Sequence, residues 1–122
     1  MIIETVYTLH EHTQKNKRIH WDLRIVRKDK RKAWSFAIPK SKLPKYGEKV
    51  LAIRTDDHNL KVINLQGKTK SGDSFKILEK GECTITKLRP NHIVIRFHGT
   101  IMDKTYGFIN IKDDNWLIIV SK

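Results

Sequence analysis

The apolar residues of this chain come in short runs, and the longest, 116–120, has five residues. Ten short apolar or alternating runs follow one another at 2–9, 20–27, 33–38, 50–54, 60–65, 74–78, 83–87, 92–97, 106–111 and 116–120. No stretch sustains the 3.6-residue repeat of an amphipathic helix. Turn-forming residues punctuate the runs, at 27–32, 43–47, 55–59, 66–67, 71–73, 80–81, 89–91, 98–99 and 112–115. Strands at this spacing imply an all-β chain with little helix, a mostly antiparallel barrel or a sandwich. The 122 residues correspond to one domain over 1–122.

Charge narrows the class of partner. Lys plus Arg number 25 against 13 Asp plus Glu, a formal net charge of +12. Such an excess suits a polyanion, and nucleic acid before others. No run approaches the length needed to cross a membrane. The first ten residues, MIIETVYTLH, lack the basic segment and long apolar stretch of a secretory signal. A lone cysteine, Cys83, allows no internal disulfide and reads as a small core residue. A cytoplasmic setting is expected.

The segment 10–24, HEHTQKNKRIHWDLR, carries the chemistry. Read as a strand, it places His20, Asp22 and Arg24 on one face, about 7 Å from one to the next. Trp21, Leu23 and Ile25 share the other face, which belongs against a core. Neighbouring His and Asp side chains suit a divalent metal with open positions. A hairpin closing over 13–18 brings His12 beside His20 as a further ligand. Arg24 on the same face is shaped to grip phosphate oxygens in a fork. His10 shares a face with His12 on a regular strand and is a further candidate for the site. Lys15, Lys17 and Arg18 lie beside the site and are suited to track a nucleic-acid backbone. The aromatic residues read as core more readily than as base-stacking platforms.

Two other readings use the same residues. One is a basic β-barrel that binds single-stranded nucleic acid without chemistry. The other is a non-haem iron oxygenase, with His20, Asp22 and a distant His92 or His98 as a facial triad. The excess positive charge weighs against a small organic substrate.

A family resemblance runs through the same residues. The chain has His12, the basic loop, then His20-Trp21-Asp22-Leu23-Arg24-Ile25. Downstream come Trp34-Ser35-Phe36-Ala37-Ile38-Pro39-Lys40 and Leu51-Ala52-Ile53-Arg54-Thr55-Asp56-Asp57-His58-Asn59-Leu60. Leu78-Glu79-Lys80-Gly81 echoes a Trp-Asp-x-Gly pattern, and Trp116-Leu117-Ile118-Ile119 a closing Trp-Leu-Leu-Ile. In this order the chain resembles the 3′-phosphoesterase domain of DNA ligase D, including its short stand-alone archaeal relatives.

The resemblance implies a β-barrel with a polar, metal-containing pocket on one side, and Mn²⁺ as cofactor. It implies hydrolysis at nucleic-acid 3′ ends on a primer–template. A 3′-terminal ribonucleoside and then a 3′-phosphate are removed to leave a hydroxyl, in a pathway shared with a DNA ligase or polymerase. Carried over by position, His12, His20 and Asp22 are the metal ligands, and Arg24, Lys40 and His58 act on the phosphate. Without the resemblance, His58 reads as a residue of a strand-to-strand turn. The chain departs from the family pattern at several places. The loop between the two ligand histidines is longer, His10 replaces a glutamine, and Val62 replaces a tyrosine. The family's Gly- and Tyr-rich loop is reduced to KTKSGD at 68–73. These departures bear on the balance between diester and monoester cleavage and leave the three ligands in place.

Overall fold

The structure, a computed structural model, describes residues 2–121. Its strands are β1 (Ile3–Thr13), β2 (Ile19–Arg27), β3 (Lys32–Ile38), β4 (Lys49–Asn59), β5 (Gly67–Lys68), β6 (Ser74–Arg89), β7 (His92–Phe97), β8 (Thr105–Lys112) and β9 (Asn115–Val120). They form one sheet in the order β1-β2-β3-β4-β9-β8-β7-β6-β5, and β1 pairs additionally with β6. That last pairing closes an antiparallel barrel of every strand except the two-residue β5. Closure leaves the main strands without the unpaired edge that an open sheet must protect.

One face of each strand fills the barrel. Tyr7 and Leu9 of β1, Leu23 and Ile25 of β2, and Trp34, Phe36 and Ile38 of β3 are all in the buried core. They meet Ile85, Ile95, Phe97, Tyr106, Phe108, Trp116 and Ile118 from the other side. Cys83 belongs to this core at 1% exposure, and burial pushes its thiol up to about 12. Trp21 packs against the core from a partly buried position.

Four expected boundaries move, each for a visible reason. The first strand does not stop at residue 9 but continues to Thr13, because its ladder with β2 runs on to Thr13↔Ile19. The turn expected at 55–59 is strand: β4 continues against β3 to Lys32↔Asn59, with a register shift between Ala33 and Ser35. His58 therefore sits on a strand rather than in a turn.

The strand expected at 60–65 is a short 3-10 helix, Leu60–Asn64. The Asn59 side chain caps it by accepting from the Lys61 amide, and Leu65 N–H closes onto Val62. Thr8 Oγ1 donates to the Ile63 carbonyl and His10 to the Leu65 carbonyl, so β1 side chains hold this segment in place of a neighbouring strand.

The runs at 74–78 and 83–87 are one strand, β6, with no turn at Lys80-Gly81. Gly81 is there because the Tyr7 ring lies against it: a Cβ at Gly81 would stand 2.8 Å from the Tyr7 hydroxyl. The neighbouring Glu79 carboxylate accepts from the amides of Thr100, Ile101 and Met102 and from the Tyr7 hydroxyl. It thereby fastens the β7–β8 connection to the barrel wall.

Burial pushes the Glu79 carboxyl up, but these donors outweigh it and hold the group below the usual carboxylate range. A depressed folded-state pKa contributes stability above the unfolded value, about 4.3. That contribution is lost as pH falls through the folded value. Glu79→Ala should therefore cost about 2 kcal/mol or more at pH 7, because its donors lose their acceptor. Urea denaturation should show the gap from the parent closing toward pH 3, and a gap that is the same at both pH values would remove the charge from the account.

Candidate metal centre

The site is built on the outer face of β1–β4. Alternation that sends Leu9 and Leu23 inward sends His10, His12, His20, Asp22 and Arg24 outward. The register pairs His12 with His20, His10 with Asp22 and Thr8 with Arg24 across β1 and β2. It then pairs Arg24 with Ser35 across β2 and β3. Residues 60–73 lie over part of this polar face, which explains how it comes to be buried. His10 and Ser35 are 0% exposed, and Asp22 and Arg24 are each 5% exposed.

His12, His20 and Asp22 offer ligand atoms that all lie within 4.8 Å of one another. His12 Nδ1 is 2.8 Å from Asp22 Oδ2 and 3.1 Å from His20 Nε2, which is 3.0 Å from Asp22 Oδ1. Burial pushes the Asp22 carboxyl up. The hydrogen bond from His20 and the charges of Arg24, His20 and His12 outweigh burial, holding the carboxyl low and ionised.

With an ionised carboxylate, protons alone do not satisfy this triangle. If both imidazole nitrogens carry protons, two donors face each other. If only one does, the other nitrogen turns a lone pair on a carboxylate oxygen. A cation at the centre resolves every contact, and two imidazoles with a carboxylate leave coordination positions open. The donor set therefore fits a divalent metal ion.

Beside this cluster runs a chain of polar contacts. Arg24 Nη2 lies 3.4 Å from Asp22 Oδ2, and Arg24 Nη1 donates to Ser35 Oγ at 2.8 Å. Ser35 Oγ is 2.8 Å from His58 Nδ1. Since the Ser35 oxygen accepts from Arg24, its proton is available for His58 Nδ1, which leaves the His58 Nε2 proton pointing away from Ser35. Burial and then the Arg24 charge lower the His58 pKa from its ordinary value, so the ring is neutral at pH 7. The Arg24 Nε proton is buried without a partner.

The remaining candidates separate. His10 is no part of the ligand cluster: its Nε2 donates to the Leu65 carbonyl at 3.0 Å and its ring meets the edge of Phe75. Lys40 is exposed in the turn after β3. Because Trp21 pairs with Ile38, that turn lies at the same end of the sheet as His20. Lys15, Lys17 and Arg18 are exposed on the β1–β2 loop, which turns through Lys17 at φ 71°. His98 bonds Thr84 and His92 lies on β7 beside Gly107. Neither belongs to the cluster found among the described residues.

Three contributors escape the sequence reading. Ser35 links Arg24 to His58. Phe75 stacks on the His12 ring at 4.2 Å, with 23° between the planes. Asp73 accepts from His12 Nε2 at 2.9 Å. Ser35 was within reach, since pairing β2 with β3 across the turn at 27–32 sets it opposite Arg24. Asp73 and Phe75 lie too far along the chain from His12 for any local pattern to connect them.

Substituting His12 or His20 by Ala should abolish divalent-metal binding and leave the fold intact, since neither side chain belongs to the barrel core. Asp22→Ala should also lower stability, by about 2 kcal/mol or more, because it strips the buried Arg24 of its carboxylate. Metal titration by electron paramagnetic resonance alongside thermal unfolding checks this. Retained affinity in any of the three would remove that residue from the centre.

Comparison with known proteins follows the same residues. The sequence profile of the DNA ligase D 3′-phosphoesterase domain matches residues 10–110, from the strand carrying His12 to β8. The chain is also 28% identical to the multifunctional non-homologous end joining protein LigD of Mycolicibacterium smegmatis. The match takes in 83% of this chain and 15% of that protein, so the chain spans a small part of its relative's length. With most of the chain under one profile, and the polar face of β1–β4 inside it, this chain belongs to the DNA ligase D 3′-phosphoesterase domain family.

Proposed function

We propose that this chain is a metal-dependent phosphoesterase that heals the 3′ ends of nucleic-acid strands. It removes a 3′-terminal ribonucleoside, a 3′-phosphate, or both, to leave a 3′-hydroxyl, with Mn²⁺ as the ion. DNA or RNA–DNA ends at a primer–template are the substrate, and the setting is repair by end joining in the cytoplasm, beside a ligase or polymerase. The observation that carries this reading is the placement of the His12–His20–Asp22 triangle next to the Arg24–Ser35–His58 chain on one sheet face.

The roles follow from position. His12, His20 and Asp22 hold the ion, which supplies polarisation of a phosphoryl oxygen and activation of water when bound. Arg24 holds Asp22 in place and brings positive charge to the developing charge of the phosphate. Ser35 fixes the His58 ring, whose Nε2–H donates a hydrogen bond to a phosphate or leaving-group oxygen and so stabilises its developing charge. Lys40 and the loop residues Lys15, Lys17 and Arg18, all at the His20 end of the sheet, hold the strand backbone. A non-catalytic strand-binding barrel would use the same basic rim but has no need of an ionised carboxylate buried between two imidazoles and a guanidinium.

The deciding experiment incubates the protein and Mn²⁺ with 5′-labelled primer–templates ending in a 3′ ribonucleotide or a 3′-phosphate. Conversion of either to a 3′-hydroxyl end, blocked by chelator, is the expected result. Binding without conversion across a panel of divalent metals would sink the proposal.

Substitutions separate the parts. Arg24→Lys should rescue little of the activity lost in Arg24→Ala, because an ammonium does not span Ser35 and Asp22 together. His58→Ala should cost about 100-fold or more in kcat/KM, and an NMR titration of His58 in the parent protein should show a protonation midpoint below 6.5. A midpoint above that value would contradict the burial argument. Replacing Lys15, Lys17 and Arg18 by Ala should flatten the salt dependence of binding, by about 0.7–0.9 in the log–log slope for each phosphate no longer neutralised. An unchanged slope would place the strand elsewhere.

A further inference from the structure

We propose that Asp73 is a positioning residue for the metal centre: it locks His12 in the tautomer that presents Nδ1 to the ion and ties that ligand to the basic loop alongside. This rests on the metal-centre reading above and assigns a role to a residue within the short KTKSGD loop at 68–73.

The geometry is specific. Asp73 Oδ2 lies 2.9 Å from His12 Nε2. A carboxylate only accepts, so Nε2 carries the proton. Nδ1 is then the nitrogen that faces Asp22 and His20, the two other members of the triangle, and is the one available to an ion. Phe75, two residues farther along, stacks on the same ring and sets its plane. A carboxylate behind a metal-bound imidazole also raises the basicity of the ligand nitrogen.

The second oxygen of the same carboxylate is used as well. Asp73 Oδ1 accepts from the backbone N–H of Lys15 at 3.0 Å. Gly72, at φ +94°, lies against the Lys15 stem, where a Cβ would meet Lys15 Cγ at 3.3 Å. Gln14, Lys15, Asn16 and Asp73 line an open depression at this point. One side chain therefore joins a ligand histidine to the loop that carries Lys15, Lys17 and Arg18. A strand lying along that loop is held in a set relation to the ion.

The test uses the full chain, with Asp73→Ala, Asp73→Asn and, as control, Asp22→Ala. Mn²⁺ affinity is read by electron paramagnetic resonance. The His12 tautomer is read in protein loaded with diamagnetic Zn²⁺ by long-range ¹⁵N–¹H correlation. Asp73→Ala should weaken Mn²⁺ binding about 10- to 100-fold and allow the Nδ1–H tautomer of His12 to appear. Asp73→Asn should fall between the parent and Asp73→Ala, because its amide oxygen still accepts the Nε2 proton.

Mn²⁺ affinity within about twofold of the parent in Asp73→Ala, or an unchanged tautomer, overturns the proposal. An Asn variant as deficient as Asp22→Ala also overturns it, since Asp73 would then be a direct ligand. If the parent and Asp22→Ala bind Mn²⁺ equally poorly, the metal centre itself fails and this proposal with it. If Asp22→Ala abolishes binding while Asp73→Ala changes neither affinity nor tautomer, only the role of Asp73 is lost.

Discussion

The antiparallel register between β1 and β2 is the constraint on which the site depends. It sets His12 opposite His20 and His10 opposite Asp22. Side chains on a strand alternate, so a slip of one residue would turn His20, Asp22 and Arg24 into the barrel and Leu23 and Ile25 out to solvent. The core thus enforces the site's geometry: Tyr7 and Leu9 on one strand and Leu23 and Ile25 on the other have a single way to be buried together. The polar loop between the strands has freedom of length and sequence because the ladder on either side carries the alignment.

The same economy explains why so polar a face is covered. A buried carboxylate and guanidinium cost much in desolvation unless each is paired. Asp22 is surrounded by two imidazoles and Arg24, and Arg24 by Asp22 and Ser35. The cover is residues 60–73, whose carbonyls at Ile63 and Leu65 are taken by Thr8 and His10. His10, two residues before His12, thus holds the roof of the pocket. On the far side of β1, Glu79 does comparable work for the barrel, gathering loop amides and the Tyr7 hydroxyl. The Leu78-Glu79-Lys80-Gly81 run is in this respect a structural knot, with Gly81 leaving room for the Tyr7 ring.

Much of this was legible before any fold was known. The all-β class followed from the short alternating runs, and the grouping of His20, Asp22 and Arg24 followed from a period of two. The addition of His12 followed from one hairpin. Strand ends were legible where the neighbours left the local pattern undisturbed, as in β7, where the expected 92–97 matches His92–Phe97. They were not legible where a neighbour overrode the local pattern. Polar residues 55–59 look like a turn but are held in β4 by β3. The alternating 60–65 looks like a strand but finds no partner strand and coils under the Asn59 cap.

The sequence by itself determined the all-β class, the two faces of the strand at 20–25, and a local set of metal-seeking side chains, because all three depend on neighbours a few residues apart. Tertiary structure alone decided what surrounds that set. Ser35 reaches His58 across a register shift in the β3–β4 ladder. Phe75 and Asp73 reach His12 because β6 closes the barrel against β1. Contacts between residues so distant along the chain leave no periodic trace in it. They exist only once the sheet has curled round and paired its first strand with its sixth.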